Sequence, residues 1–203
     1  SVPIFDQRPL ILASSSRYRQ ELLARLRLPF EVQSPDVDEV RLPDEEARDM
    51  AIRLALAKAR AVAATRTEGL VIGSDQVAHC DGTIMGKPGT HVRAVEQLRA
   101  MRGRVTHFDT ALALVDVHSG RTQSEVVRTT VSMHALSDEQ IEAYLTLERP
   151  YDCAGSAKSE ALGITLMASL SGDDPTALIG LPLIALTQML RTEGVDPLKP
   201  SVK

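Results

Sequence analysis

The stretch Leu70-Val71-Ile72-Gly73-Ser74-Asp75 reads as a short buried strand that delivers a carboxylate into a cleft. An aspartate that merely closes a turn is the alternative. Upstream, residues 10–13 form a second apolar run, followed by the small polar loop of Ser14 to Ser16 and by leucines at helical spacing over residues 21–26. That is strand, loop, helix. Residues 30–34 read as another strand ending in an acidic loop, and Asp44 can cap a long alanine-rich helix running to about Arg66, with Gly69 after it.

Downstream of Asp75, the pair Asp81-Gly82 suits the positive dihedrals of a two-residue hairpin, and Gly86-Lys87-Pro88-Gly89 is a rigid loop. Thr90 can cap a helix over residues 92–101. Two runs rich in β-branched residues, 106–116 and 122–131, flank Ser119-Gly120 as a second hairpin, so this half reads as antiparallel. Ser137 with Gln140 forms a capping box before a helix to about Leu147, and Pro182 opens a last helix to about Glu193. Between them lies a segment rich in Gly and Ser, with a short strand expected over residues 164–170. The expectation is a mixed α/β fold of one domain over 1–203, with two lobes around a cleft assembled from loops at strand ends. No repeat or Pro/Gly-rich linker divides it.

The bulk composition narrows the function classes. With 203 residues and 43% hydrophobic content the chain can bury a sizeable core. Lys and Arg number 23 against 27 Asp and Glu, giving a net charge of −4, so there is no basic stripe to track DNA or RNA. No apolar run approaches the roughly 20 residues a membrane span needs. Cys80 and Cys153 are far apart and have no ligand spacing, which points to buried free thiols and a cytoplasmic protein. Aromatic residues make up 3% and Trp is absent, so Tyr18, next to the serine loop, stands out as a base-stacking candidate.

Three hydroxyls and the guanidiniums of Arg17 and Arg19 stand at a helix entry, where free N–H groups and the helix dipole favour phosphate. A serine-rich cap with solvated arginines is the alternative. Asp36, Asp38 and Glu39 form an acidic loop, and with Asp75 they are the oxygen donors a hard cation such as Mg²⁺ or Mn²⁺ would take. Such loops are commonly just solvated. Lys58 lies mid-helix, where lysines usually face water, whereas Lys87 is fixed between Gly86 and Pro88 and is the better phosphate candidate. The five histidines show no metal-ligand pair, and no Gly-x-Ser-x-Gly, Walker or Gly-x-Gly-x-x-Gly pattern is present.

Three segments together resemble the Maf family: Leu10 to Arg19, Ile72 to Pro88, and Ala154 to Pro182. The resemblance implies two α/β lobes around a cleft, a homodimer, and hydrolysis of a nucleoside triphosphate to the monophosphate and pyrophosphate with a divalent cation. By position, Asp75 matches the proton acceptor, Ser14, Arg19, Lys58 and Lys87 match phosphate-site residues, and Glu39 matches an acidic residue near the metal. Tyr18, Gln76 and Glu160 fall on the positions that set base preference. The Ser74-Asp75-Gln76 and Lys158-Ser159-Glu160 variants resemble the branch acting on 7-methyl-GTP. The alternatives are other nucleotides of the dTTP or UTP kind, or a nucleotide-binding regulator of cell division with little turnover. Arg17 and Gln20 depart from the family's usual Pro and Arg, and Tyr18 stands where that branch has Trp.

Overall fold

A computed structural model describes residues 8–199. In chain order the elements are β1 (Leu10–Leu12), α1 (Arg17–Ala24), β2 (Glu31–Val32), α2 (Ala47–Ala63), β3 (Leu70–Cys80), β4 (Thr83–Met85), α3 (His91–Met101), β5 (Val105–Asp116), β6 (Thr122–Met133), α4 (Asp138–Glu148), β7 (Met167–Gly172) and α5 (Leu183–Thr192). Several ends follow from local chemistry. Thr90 accepts from the Arg93 N–H, the Ser137–Gln140 box closes in both directions, and Asp81 and Gly82 both take positive φ in the β3–β4 turn.

All seven strands join one mixed sheet in the order β2-β1-β3-β5-β6-β7, with β4 also on β3. β1 is parallel to both β2 and β3, while every pairing from β3 onward is antiparallel. Alternation along the strands separates two faces. Ile11, Val71, Ala111, Ala113 and Val115 pack under the alanine face of α2, formed by Ala51, Ala55 and Ala59. On the other face Leu10, Leu12, Ile72, Leu112 and Leu114 meet the leucines of α1 and α5. A third cluster around Phe108, with Leu98, Met101, Ile141 and Leu145, seats α3 and α4 on the remaining part of the sheet. Thus the sheet is continuous under both groups of helices.

Gly73 sets how closely α2 lies on the sheet. A Cβ there would fall 2.1 Å from the Ala55 carbonyl oxygen, so only glycine admits the helix at this separation. The alanine-rich face of α2 has the same effect from the other side.

Five expectations need correction. β3 does not end at Asp75: it pairs with β5 from Leu70 to His79, which places Asp75 in mid-strand opposite Ala111. Asp44 does not cap α2; it takes a left-handed φ of 57° in a turn, and the helix begins after Glu46 without a side-chain cap. The strand expected over residues 30–34 shrinks to Glu31–Val32, and the one over 164–170 starts at Met167 after a 3₁₀ turn of Leu162–Leu166. Cys80 is buried as expected, but Cys153 is only half-buried.

Candidate active site

β3 is covered on one edge by β5 along most of its length, but its other edge is shared. β1 pairs with Leu70 to Ile72 and β4 with Ala78 to Cys80, so residues 73–77 face no strand on that side. A cleft of about 260 Å³ opens at this gap, a little below the usual range of small-molecule sites. Asp75 and Gln76, adjacent in sequence, point to opposite faces of the strand and both line the cleft.

The close seat of α2 on Gly73 brings Lys58 over Asp75. Lys58 Nζ lies 2.8 Å from Asp75 Oδ1 and 2.8 Å from Glu39 Oε1, so a mid-helix lysine that sequence would leave in water is instead buried between two carboxylates. Burial pushes the Glu39 carboxyl up, but the hydrogen bond from Lys58 and the charges of Lys58, Lys87 and Arg19 outweigh it and hold the group below its ordinary value. Arg19, in the first turn of α1, is buried and donates from Nε to the Gly180 carbonyl at 2.8 Å. Burial lowers its pKa, against the opposing charges of Asp75 and Glu39. Lys87 reaches the same cleft from the loop after β4.

The serine loop behaves as a cap. Ser16 is the N-cap of α1 and accepts from the Arg19 N–H, and it lines the cleft. Ser14 is buried and accepts from the Ser16 N–H at 3.0 Å, so it shapes the loop and is not among the cleft-lining residues. Nothing local in the sequence distinguishes Ser14 from Ser16, because the choice follows from how the loop turns into α1.

Tyr18, Gln76 and Glu160 also line the cleft. The Gln76 amide nitrogen approaches Thr110 Oγ1 and the Ala177 and Leu178 carbonyls, which fixes the amide and leaves Oε1 without a donor among the described residues. The Tyr18 hydroxyl donates to Asp152, 3.1 Å from each carboxylate oxygen. Burial raises the Tyr18 pKa and pushes the Cys153 thiol up to about 12. Asp152, Cys153 and Gly180 are cleft residues that sequence reasoning missed. Their only signal was membership of the Gly/Ser-rich segment, since they arrive by chain return and not by spacing.

Glu39 and Asp75 are the two carboxylates beside Lys58 that a hard cation could take. Glu39 and Asp75 each reach one point, now held by Lys58 Nζ, so their oxygens are no further apart than twice the 2.8 Å contact. No group of three His, Cys, Asp or Glu that could hold a metal is present among the described residues. Mg²⁺ commonly takes one or two carboxylates and completes its shell with water and substrate phosphate, which these two acids suit.

A mixed sheet with a cleft charged by arginine, lysine and paired carboxylates, and lined also by an aromatic and an amide, is a small-molecule site suited to a phosphorylated ligand. The chain belongs to the Maf-like protein family, whose model matches residues 9–193. Its relatives include the 7-methyl-GTP pyrophosphatase of Burkholderia pseudomallei, 61% identical over 188 residues, covering 91% of this chain and 87% of the relative. The proteins of the same name from Polaromonas sp. and Thiobacillus denitrificans are 58% and 59% identical, covering 93% of this chain and 86% and 94% of their own lengths. Among solved structures, a HAM1 protein from Coxiella burnetii aligns with a TM-score of 0.47 at 15% identity, covering 64% of this chain and 75% of that chain.

Proposed function

We propose that this chain hydrolyses 7-methyl-GTP between its α and β phosphates, releasing 7-methyl-GMP and pyrophosphate. The observation that carries this reading is one cleft that gathers Asp75 and Glu39 around Lys58, with Arg19 and Lys87, and that Tyr18, Gln76 and Glu160 also line. The names of the relatives supply the particular base.

A triphosphate brings about four negative charges, and Arg19, Lys58 and Lys87 offset them and orient the pyrophosphate as leaving group. Asp75 accepts the proton of the water that attacks the α-phosphorus on the face opposite the departing oxygen. Glu39 and Asp75 would hold Mg²⁺ or Mn²⁺, which supplies charge compensation at the phosphates. For the base, the Tyr18 ring offers a face to a cationic purine, for about 0.5–2 kcal/mol. Glu160 accepts from the N1–H and N2–H₂ edge, and the fixed Gln76 amide presents Oε1 as a further acceptor. We further propose that the chain works in the cytoplasm, which rests on two cysteines without ligand spacing, and as a homodimer, which rests on the family resemblance; sedimentation as a single chain would overturn the homodimer. Among the described residues no helix is long and apolar enough to cross a membrane.

The test is incubation with 7-methyl-GTP, GTP, dTTP, UTP and ATP in Mg²⁺ or Mn²⁺, scoring pyrophosphate apart from orthophosphate. Pyrophosphate from 7-methyl-GTP well above the others is the expected result. Preference for dTTP or UTP would retain the reaction and overturn the base assignment. Binding without turnover of any nucleotide would favour a regulator, including one acting in cell division.

A further inference from the structure

The cleft is lined by seven charged residues, four of them acids. Arg19, Lys58 and Lys87 face Glu39 and Asp75. Asp152 and Glu160 also line the cleft, and both act on Cys153 beside Tyr18. The other ionisable groups there, Tyr18 and Cys153, keep their protons because burial raises both. Two cations stand close by and feel these acids, Arg17 the charge of Asp152 and Lys158 that of Glu160. Arg17 lies over the Tyr18 ring, 5.0 Å from its centroid, and donates to the phenol oxygen. Lys158 is 5.6 Å from the same centroid and pairs with Glu148 at 3.2 Å.

Asp152 enters no salt bridge among the described residues, and its side-chain partners are the Tyr18 hydroxyl and the Cys153 thiol. Both of its oxygens are 3.1 Å from the phenol oxygen, so the carboxylate is fixed at the rim of the ring on which a base would stack. We infer that Asp152 is a specificity-determining residue that reads the positive charge of an N7-methylated purine held against Tyr18. This rests on the proposal that 7-methyl-GTP is the substrate. Methylation at N7 leaves the imidazole ring of guanine cationic, while GTP presents a neutral base to the same acids. Glu160 hydrogen-bonds the N1–H and N2–H₂ edge, which both nucleotides share. The contact that separates them is therefore one of charge, and Asp152 supplies it.

The test is kcat/KM for 7-methyl-GTP and for GTP, by pyrophosphate release, in wild type, Asp152→Asn, Asp152→Glu and Tyr18→Phe. Asp152→Asn is expected to lower the 7-methyl-GTP value roughly tenfold, the size of one charge–charge interaction in a partly solvated site, and to leave GTP within about twofold. Asp152→Glu keeps the charge and is expected to keep most of the preference, which covers the case in which the Asn variant folds poorly. Tyr18→Phe keeps ring and carboxylate and is expected to cost less selectivity than Asp152→Asn. Equal losses on both nucleotides, or a Tyr18→Phe loss as large as that of Asp152→Asn, would reduce Asp152 to a support for Tyr18 and overturn the inference. A wild-type protein inert toward 7-methyl-GTP would remove the functional reading itself, whereas an active wild type with an unchanged ratio in Asp152→Asn removes only this one.

Discussion

Asp75 is held rather than merely present. Its strand neighbours are paired to β5 and its carboxylate is fixed by Lys58 from α2, so the proposed base has little freedom to seek its water. Asp75→Asn is expected to lower kcat by about 10²–10⁴-fold, the usual contribution of a positioned base, with KM and melting temperature nearly unchanged. Turnover close to wild type in that variant would show that another group takes the proton. Asp75, Lys87 and Tyr18 were legible in sequence because each has a local signature: an apolar strand before a carboxylate, a lysine braced by Gly86 and Pro88, a lone aromatic beside serines. Lys58 was weaker, since its burial depends on what α2 packs against. Asp152 and Gly180 had no local signature, because the chain brings them to the cleft over more than a hundred residues of separation from Tyr18 and Arg19.

At the scale of elements, one glycine sets the distance between α2 and the sheet. Gly73→Ala forces a methyl group against the Ala55 carbonyl, and the expected cost is about 1–3 kcal/mol in urea unfolding, together with a loss of activity as Lys58 shifts. An alanine variant with unaltered stability would mean that α2 slides freely. The β3–β5–β6 region carries a second device. Asp109 on β5 is buried, and although burial pushes its pKa up, the hydrogen bonds from Arg128 on β6 and His79 on β3 outweigh that and hold it below the ordinary carboxylate value. Stabilisation from Asp109 is therefore complete above about pH 4 and disappears as pH falls through the lowered folded value. Asp109→Asn is expected to reduce stability at neutral pH and to flatten the acid limb of a stability profile; an acid limb identical to wild type would contradict the assignment. Elements fixed by neighbours in sequence were readable, as with Thr90, Ser137 with Gln140, and Asp81-Gly82. The length of β3 was not, because Gly73 and Ser74 look like a strand end unless ten residue pairs with β5 are known. Asp44 has the right side chain for a cap and the wrong backbone, which a turn formed by Glu45 and Leu42 decides.

Across the whole molecule, the two ends of the described chain are tied at one place. Arg8 contacts both Asp116 at the end of β5 and Glu193 after α5, and Arg121 from the β5–β6 turn joins the same acids. Glu193→Gln removes the charge shared by two arginines, with an expected cost of about 1 kcal/mol and a Tm lower by roughly 2–4 °C for a chain of this size. Since Arg121 is largely exposed, much of that loss is expected to disappear at high salt, and a salt-independent loss would point to packing instead. The bare stretch of β3 has a different consequence. On its β5 side the strand is laced without a break, so deuterium should enter the β3 amides that point to β5 only when the sheet itself opens, long after the 150–160 loop has exchanged. Comparable exchange rates in the two segments would refute this. Slow labelling of the strand would mean that the carboxylate stays put through the working cycle, and that accommodation of an arriving nucleotide falls to the segment carrying Asp152 and Glu160.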